Sequence, residues 1–232
     1  MFVPKGNARP DSTRDGNRRL SGVNDLALIV PVRGFSSGKS RLAERLSGEQ
    51  RARLARALAE VVVDPRHGVS IFVVCDDPDV ADWAIGRGAE PVLVEARGLN
   101  ESLTAARPAI EARSVAERFA IVHADLPLAH DLGVVIGTRA ENAAPDAIVI
   151  ASDGRNDGTN VLLLQRRVFT DWRFSYGPGS CAAHVEQATS RGLRVEMLES
   201  DELGLDLDTA HDLDDPRVRT FLDSVLPGWS TP

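Results

Sequence analysis

Only two lysines, Lys5 and Lys39, stand against 25 arginines in this 232-residue chain. Lys39 lies in Gly34-Phe35-Ser36-Ser37-Gly38-Lys39-Ser40, a Gly/Ser loop between an apolar run and a helix-forming stretch. An ammonium group is a point charge suited to phosphate, and a helix N-terminus favours anions. Arg33 and Arg41 place two more cations nearby. The loop resembles a P-loop without being one. The Walker pattern needs four residues between its glycines, whereas three separate Gly34 from Gly38 and Arg33 stands where the first glycine should be. The nest of backbone N–H groups depends on that length. The expected chemistry is phosphate recognition by side-chain charge, with an exposed, solvated turn as the plain alternative.

Carboxylates follow at a distance. Asp125, in His-Ala-Asp-Leu-Pro-Leu, ends an apolar run, and a strand-end Asp suits a hard cation such as Mg²⁺, which takes one or two carboxylates plus phosphate oxygens. Leu205-Asp206-Leu207-Asp208-Thr209 alternates apolar and acidic residues. As a strand it would put Asp206 and Asp208 on one face, where like charges need a cation or good solvation. Alone, this reads equally as a solvated edge strand. With Asp125 it could bind metal ions that bridge a nucleoside triphosphate and its attacker. His123 shares the strand face of Asp125 and reads as core or support rather than as a base. His211 to Asp215 reads as the opening of a last helix, without chemistry. Asp157-Gly158-Thr159-Asn160 and Tyr176-Gly177-Pro178-Gly179-Ser180 form a second Gly-rich cluster, ahead of a helical stretch containing His184. It would offer backbone N–H and hydroxyl donors to an anion.

These groups need a scaffold that brings them together. Apolar runs at Leu26–Val32, Val69–Cys75, Pro91–Val94, Phe119–Ala124 and Ala147–Ala151 alternate with helical patterns. The helices are expected through Leu42–Val61 and near Val80–Ile85, Ser102–Ala112 and Leu132–Ala140. Continuous apolar strands between amphipathic helices predict an α/β fold with a mostly parallel sheet covered on both faces. Ligands bind beyond the carboxyl ends of such strands. Arg33 to Lys39, Asp76, Asn100 and Asp125 follow or lie near those ends, so one crevice could collect them. Antiparallel additions are expected after residue 152.

Bulk properties narrow the partners. The net charge is −7, which argues against nucleic acid, and residues 1–24 carry five basic against two acidic side chains, a net +3. The rest is near −10, so a polyphosphate must be received by local cations or metal. Residues 1–24 have little to bury and read as a disordered basic extension, leaving 25–232 as one domain. No apolar run approaches the roughly 20 residues of a membrane span, and the Arg-rich start is no secretory signal. Cys75 and Cys181 are too few for a disulfide framework or a zinc site. A cytoplasmic protein is expected, with monomer and homodimer both open.

Six motifs stand in one order: Pro31-Val32-Arg33 with Gly38-Lys39-Ser40-Arg41-Leu42, Leu99-Asn100, Ala124-Asp125-Leu126-Pro127-Leu128, Asp157-Gly158-Thr159-Asn160, Tyr176-Gly177-Pro178-Gly179-Ser180 and Leu205-Asp206-Leu207-Asp208-Thr209. From about residue 26 to 216 the chain resembles the 2-phospho-L-lactate or phosphoenolpyruvate guanylyltransferases of coenzyme F(420) biosynthesis. The resemblance implies a Rossmann-like, three-layer, GT-A-like nucleotidyltransferase fold with a mixed, mostly parallel sheet. It implies transfer of GMP from GTP to phosphoenolpyruvate, 2-phospho-L-lactate or 3-phosphoglycerate, with Mg²⁺ or alternatively Mn²⁺. Arg33, Gly34, Lys39 and Arg41 would hold GTP phosphates, and Asn100 would lie near the nucleoside. Asp125, Asp206 and Asp208 would hold the metal, with Lys39, Asp125 and Asp208 central to catalysis. Thr159, Gly177 and Ser180 would grip the acceptor. The family usually has Lys where this chain has Arg33, and Gly154 to Asp157 departs from its commonest form. The acceptor's phosphate oxygen, already anionic, would attack the α-phosphorus and release pyrophosphate without a general base. Another nucleotidyltransferase of this fold, acting on a sugar phosphate or a molybdopterin, and a nucleotide-binding module without turnover are the rival readings.

Overall fold

The computed structural model describes residues 25–229. The basic stretch 1–24, expected to be disordered, lies outside the described residues. Strand β1, Leu26–Pro31, is buried at all but its last position, as an apolar run covered on both faces must be. Strands β2 (Ser70–Cys75), β3 (Glu90–Leu93), β4 (Arg118–Val122), β5 (Ala147–Ser152), β6 (Thr159–Gln165) and β7 (Arg194–Met197) complete a seven-stranded sheet in the order β3-β2-β1-β4-β6-β5-β7. Only β6 runs against the others, antiparallel to both β4 and β5, while β5 and β7 are parallel. The antiparallel addition expected after residue 152 is therefore this one strand.

The helices are α1 (Gly48–Val62), α2 (Pro78–Gly86), α3 (Leu99–Arg113), α4 (Leu132–Asn142), the short α5 (Arg166–Phe169), α6 (Ser180–Ser190) and α7 (Arg219–Val225). Their starts follow local chemistry. Ser47 and Gln50 cap α1 reciprocally, each side chain accepting from the other's backbone N–H. Asp77 accepts from the N–H of Asp79 at the head of α2, where Pro78 has no N–H to satisfy. Leu28 and Val30 of β1 face the layer containing Ala59, Val62, Trp83 and Leu132. Ala27 and Ile29 face the opposite layer, with Leu103, Ile110 and Ala188. Each fully buried Leu or Ile contributes about 1.5–3 kcal/mol, and a one-residue slip would turn a whole set to the wrong face, so register is fixed by the core.

Two expected elements differ. The helical stretch anticipated from Leu42 begins only at Gly48; Leu42 and Leu46 sit in tight turns before it. Their leucine spacing serves a third cluster, where Leu42, Leu46, Leu54 and Leu58 pack against Leu205, Leu207 and Leu222. Leu205 to Thr209 is not a strand. It still alternates, with Leu205 and Leu207 buried and Asp206 and Asp208 partly exposed, because the two leucines are anchored in that cluster. Order changes direction between β1 and β4: β2 and β3 extend one way from β1, β4 the other. That reversal opens a crevice at the strands' carboxyl ends.

Candidate active site

The crevice at this switch point is lined by Val32, Arg33, Gly34, Phe35, Lys39 and Asp125, among others, and encloses about 270 Å³. Arg33 and Gly34 leave the end of β1, and Asp125 follows the end of β4, so two adjacent parallel strands deliver cations and carboxylate to one place. Ala55, Ala59 and Leu99 give it an apolar wall. Asp76 does not line it. A Cβ at Gly34 would lie 2.5 Å from Asp77 Oδ2, so a side chain there would displace the Asp77 carboxylate.

Lys39 adopts the left-handed conformation, φ 57°, which costs an L-residue about 1 kcal/mol. No α-helix begins at this loop. The turn Ser40–Leu42 follows, and α1 starts only at Gly48, so the helix-dipole contribution expected at Lys39 is absent. Its ammonium instead donates to Asp125 Oδ2 at 2.7 Å and lies 3.9 Å from Asp208 Oδ1. Arg41 pairs with the other oxygen of Asp208. Leu207 N donates to Asp125 O at 3.1 Å, which ties the acidic segment beside the end of β4.

The carboxylates here differ in electrostatic state. Burial pushes the Asp125 carboxyl up, but Lys39 and then His123 outweigh it and the net shift is downward. Asp206 is pushed up to about 6, by burial first and then by the charge of Asp125. Asp125 Oδ1 is buried and accepts no hydrogen bond among the described residues. An orphaned carboxylate oxygen beside a second carboxyl that resists ionisation marks a place short of positive charge, as a hard cation's ligands would be. Among the described residues, though, no group of three or more His, Cys, Asp or Glu side chains forms a ready-made cage.

The second Gly-rich cluster forms next to this pole. β5 ends at the same side, and Asp153 to Gly158 connects it to Thr159, the first residue of β6. Gly177 (φ 131°) and Gly179 (φ 72°) bend the approach to α6 in ways that favour glycine. Three N–H groups at the start of α6 are engaged: Gly179 N donates to Asp157 Oδ1 at 3.1 Å, Cys181 N to Asp157 O and Ser180 N to Gly177 O. Thr159 and Ser180 are buried, and their hydroxyls lie 3.4 Å apart. His184 Nε2 accepts from Ser175 N at 3.2 Å, so the proton of the neutral ring sits on Nδ1, facing Thr159 Oγ1 at 3.1 Å. Burial, and then His123, hold the His184 pKa down to about 4. The Gly177 main chain is exposed.

Asn100 is likewise engaged. Its Oδ1 accepts from Tyr176 N at 2.7 Å and its Nδ2 donates to Tyr176 O at 3.0 Å. Its preceding residue, Leu99, lines the crevice. Asn100 therefore latches the Tyr176–Ser180 loop to the start of α3, beside the crevice-lining Leu99. His123 N donates to Asn160 O, and its ring, which lines the crevice, lies 5.2 Å from that of Tyr176. Sequence reasoning missed Asp157 as the carboxylate engaging the start of α6, and Asn160, whose amide donates to Leu203 O at 2.8 Å; nothing in the spacing distinguished either from turn residues.

Comparison with known proteins gives this arrangement a family. Residues 26–218 match the model of the family described as guanylyl transferase CofC like. The chain belongs to that family. A phosphoenolpyruvate guanylyltransferase of Sphaerobacter thermophilus is 34% identical over 81% of this chain and 90% of its own length. The 2-phospho-L-lactate guanylyltransferase of Methanocaldococcus jannaschii is 29% identical, over 81% and 80%. Among solved structures, a nucleotidyl transferase from Methanothermobacter superposes with a TM-score of 0.60 at 17% identity, over 85% of this chain and 97% of that one. At such identity the likeness speaks for the fold: a GT-A-like nucleotidyltransferase with a mixed, mostly parallel sheet. Of the chain's charged residues, Arg33, Lys39 and Asp125 line the switch-point crevice.

Proposed function

We propose that this protein transfers GMP from GTP to phosphoenolpyruvate and releases pyrophosphate, as a single cytoplasmic domain supplying coenzyme F(420) biosynthesis. One observation carries the reading: Lys39, Arg41, Asp125 and Asp208 form one ion-paired cluster at the mouth of the crevice. Such a cluster exchanges partners readily when a polyanion arrives. Relatives named for phosphoenolpyruvate, at 30–34% identity in Sphaerobacter, Rubrobacter, Chloroflexus and Conexibacter, favour that acceptor over 2-phospho-L-lactate, at 25–30% in the methanogens. Among the described residues, no helix is long and apolar enough to cross a membrane.

In this reading the apolar wall of Ala55, Ala59 and Leu99 receives the base and ribose, while Arg33, Lys39 and Arg41 hold the triphosphate. Asp125, Asp206 and Asp208 would hold Mg²⁺. The bound ion supplies neutralisation of the charge shared by triphosphate and acceptor. Lys39 leaves Asp125 for phosphate and steadies the leaving pyrophosphate. The exposed main chain of Gly177 orients the acceptor, with Thr159 and Ser180 supporting that loop from below. The acceptor's phosphate oxygen is anionic at neutral pH, so its attack on the α-phosphorus needs alignment rather than a base. That suits a site whose two nearby histidines both have pKa values lowered, chiefly by burial.

The test is pyrophosphate release with GTP and Mg²⁺ and, in turn, phosphoenolpyruvate, 2-phospho-L-lactate and 3-phosphoglycerate, with ATP and CTP as controls. Release with GTP and phosphoenolpyruvate is the expected result. Silence with all three acceptors while GTP still binds would overturn the acceptor class.

A further inference from the structure

One carboxylate outside the cluster holds the cluster in place. Asp212 is 9% exposed, and its Oδ2 accepts three hydrogen bonds from the turn that presents Asp208. They come from Asp208 N at 3.0 Å, Thr209 N at 2.6 Å and Thr209 Oγ1 at 2.9 Å. Its Oδ1 faces Arg155 Nη2 at 3.4 Å. Arg155 belongs to the β5–β6 connection, whose Asp157 bonds the loop before α6. A single side chain thus joins the acidic turn to the Gly-rich pole.

The geometry matters because Leu205 to Thr209 has no strand ladder to fix it. Leu205 and Leu207 anchor its apolar side, and Leu207 N its link to β4. Beyond Leu207, the backbone N–H groups of Asp208 and Thr209 are held by Asp212 alone among the hydrogen bonds of the described residues. The turn is therefore built around one carboxylate side chain, and hydrogen bonds to a charged group are about twice as strong as neutral ones.

We propose that Asp212 is a positioning residue for the reaction: it fixes the direction of the Asp208 carboxylate and hence that residue's capacity to hold a divalent cation with the nucleotide. This rests on the assignment of Asp208 as a metal-holding residue. Asp212 itself touches neither metal nor substrate. Residues that orient ligands in this way change metal affinity or activity by about 10- to 100-fold when lost. The Asp212→Asn variant keeps size and shape but removes the charge that gathers three donors and Arg155.

The experiment is a Mn²⁺ titration followed by electron paramagnetic resonance, with a non-hydrolysable GTP analogue present. Wild type, Asp212→Asn, Thr209→Val and Asp208→Asn are compared, each with its melting temperature. Asp212→Asn should bind Mn²⁺ about 10-fold more weakly, and Thr209→Val, which loses one of the three donors, should weaken binding less. In steady state the Asp212→Asn loss should fall on the Mn²⁺ requirement, and raised Mn²⁺ should restore much of kcat. Should Asp212→Asn fail to fold, Thr209→Val decides, weaker Mn²⁺ binding at an unchanged melting temperature being the supporting result. If Asp208→Asn loses Mn²⁺ binding while the folded Asp212 and Thr209 variants match wild type, the positioning role is overturned and the metal assignment stands. If Asp208→Asn also matches wild type, both fall.

Discussion

The two poles of the site are built from opposite materials. At the charged pole, formal charges pair across long sequence distances: Lys39 with Asp125, Arg41 with Asp208. At the Gly-rich pole the interior is neutral, with Thr159, Ser180, His184 and the Asn100–Tyr176 latch joined by uncharged hydrogen bonds. Ion pairs lining a crevice, such as Lys39–Asp125 with side chains 9% and 25% exposed, can be exchanged for those of an incoming polyanion that pairs each charge again. Buried neutral hydrogen bonds cannot, because each broken partner stays desolvated. The first pole is suited to change partners during turnover and the second to hold shape. Substitutions at the first should therefore strike activity, and those at the second should strike stability or loop placement.

The largest effect expected is on turnover. Asp125→Ala should lower kcat by about 10³-fold, the scale of removing one electrostatic stabiliser, and should lower the melting temperature as well, because Lys39 loses its partner. A loss of only a few-fold would remove the charged pole from catalysis. At the neutral pole, His184 gives a pH signature instead. An unfolded histidine titrates near 6.5, while in the fold burial, and then His123, hold this one to about 4. Its contribution is fully present above pH 6.5 and is lost as pH falls from there toward 4, because the unfolded chain binds a proton that the native chain refuses. Across that window it amounts to about 3 kcal/mol. Urea midpoints at pH 7 and pH 4.5 should diverge in wild type and draw together in His184→Gln; equal divergence in both would place the acid sensitivity elsewhere.

Asn100→Leu sharpens the contrast, since it removes the latch between the poles. It should raise the acceptor KM about 10-fold, equivalent to about one net hydrogen bond, and leave the KM for GTP within about twofold. A change confined to GTP would return Asn100 to the nucleoside. The smallest effect should come from Gly179→Ala, about 1 kcal/mol of stability for forcing a Cβ into φ 72°, read from a denaturant midpoint. No heavy atom lies within 4 Å of where that Cβ would stand, so strain rather than a clash sets the expectation.

Much of the scaffold was legible from periodicity. Five apolar runs gave five strands within one or two residues of their ends. Four did so because a strand buried on both faces must be apolar throughout, while β3 is an edge strand with only Val92 buried. The strand reading failed at Leu205 to Thr209, where alternation came from two leucines entering a separate core cluster instead of from a pleat. The helix reading overshot at Leu42 and Leu46 for the same reason: leucines at helical spacing also serve turns that pack on a neighbouring element. The charged residues could be named from type and place, as Lys39 was by its rarity and Asp125 by its strand end. Asp212 passed for a helix-opening residue, since an Asp three residues after a Thr looks alike whether it caps a helix or gathers a turn.

The sequence by itself determined the α/β layering, a crevice beyond the strands' carboxyl ends and the kind of charge that fills it. All three follow from local patterns of burial and residue type that the chain carries wherever it folds. Only the tertiary structure decided which charges pair, that the N–H groups at the start of α6 are engaged by Asp157, and that Asn100 faces a loop 76 residues away. Those outcomes depend on distances across the sheet of a few ångströms. Hydrogen bonds fade over that range, and no one-dimensional spacing encodes it.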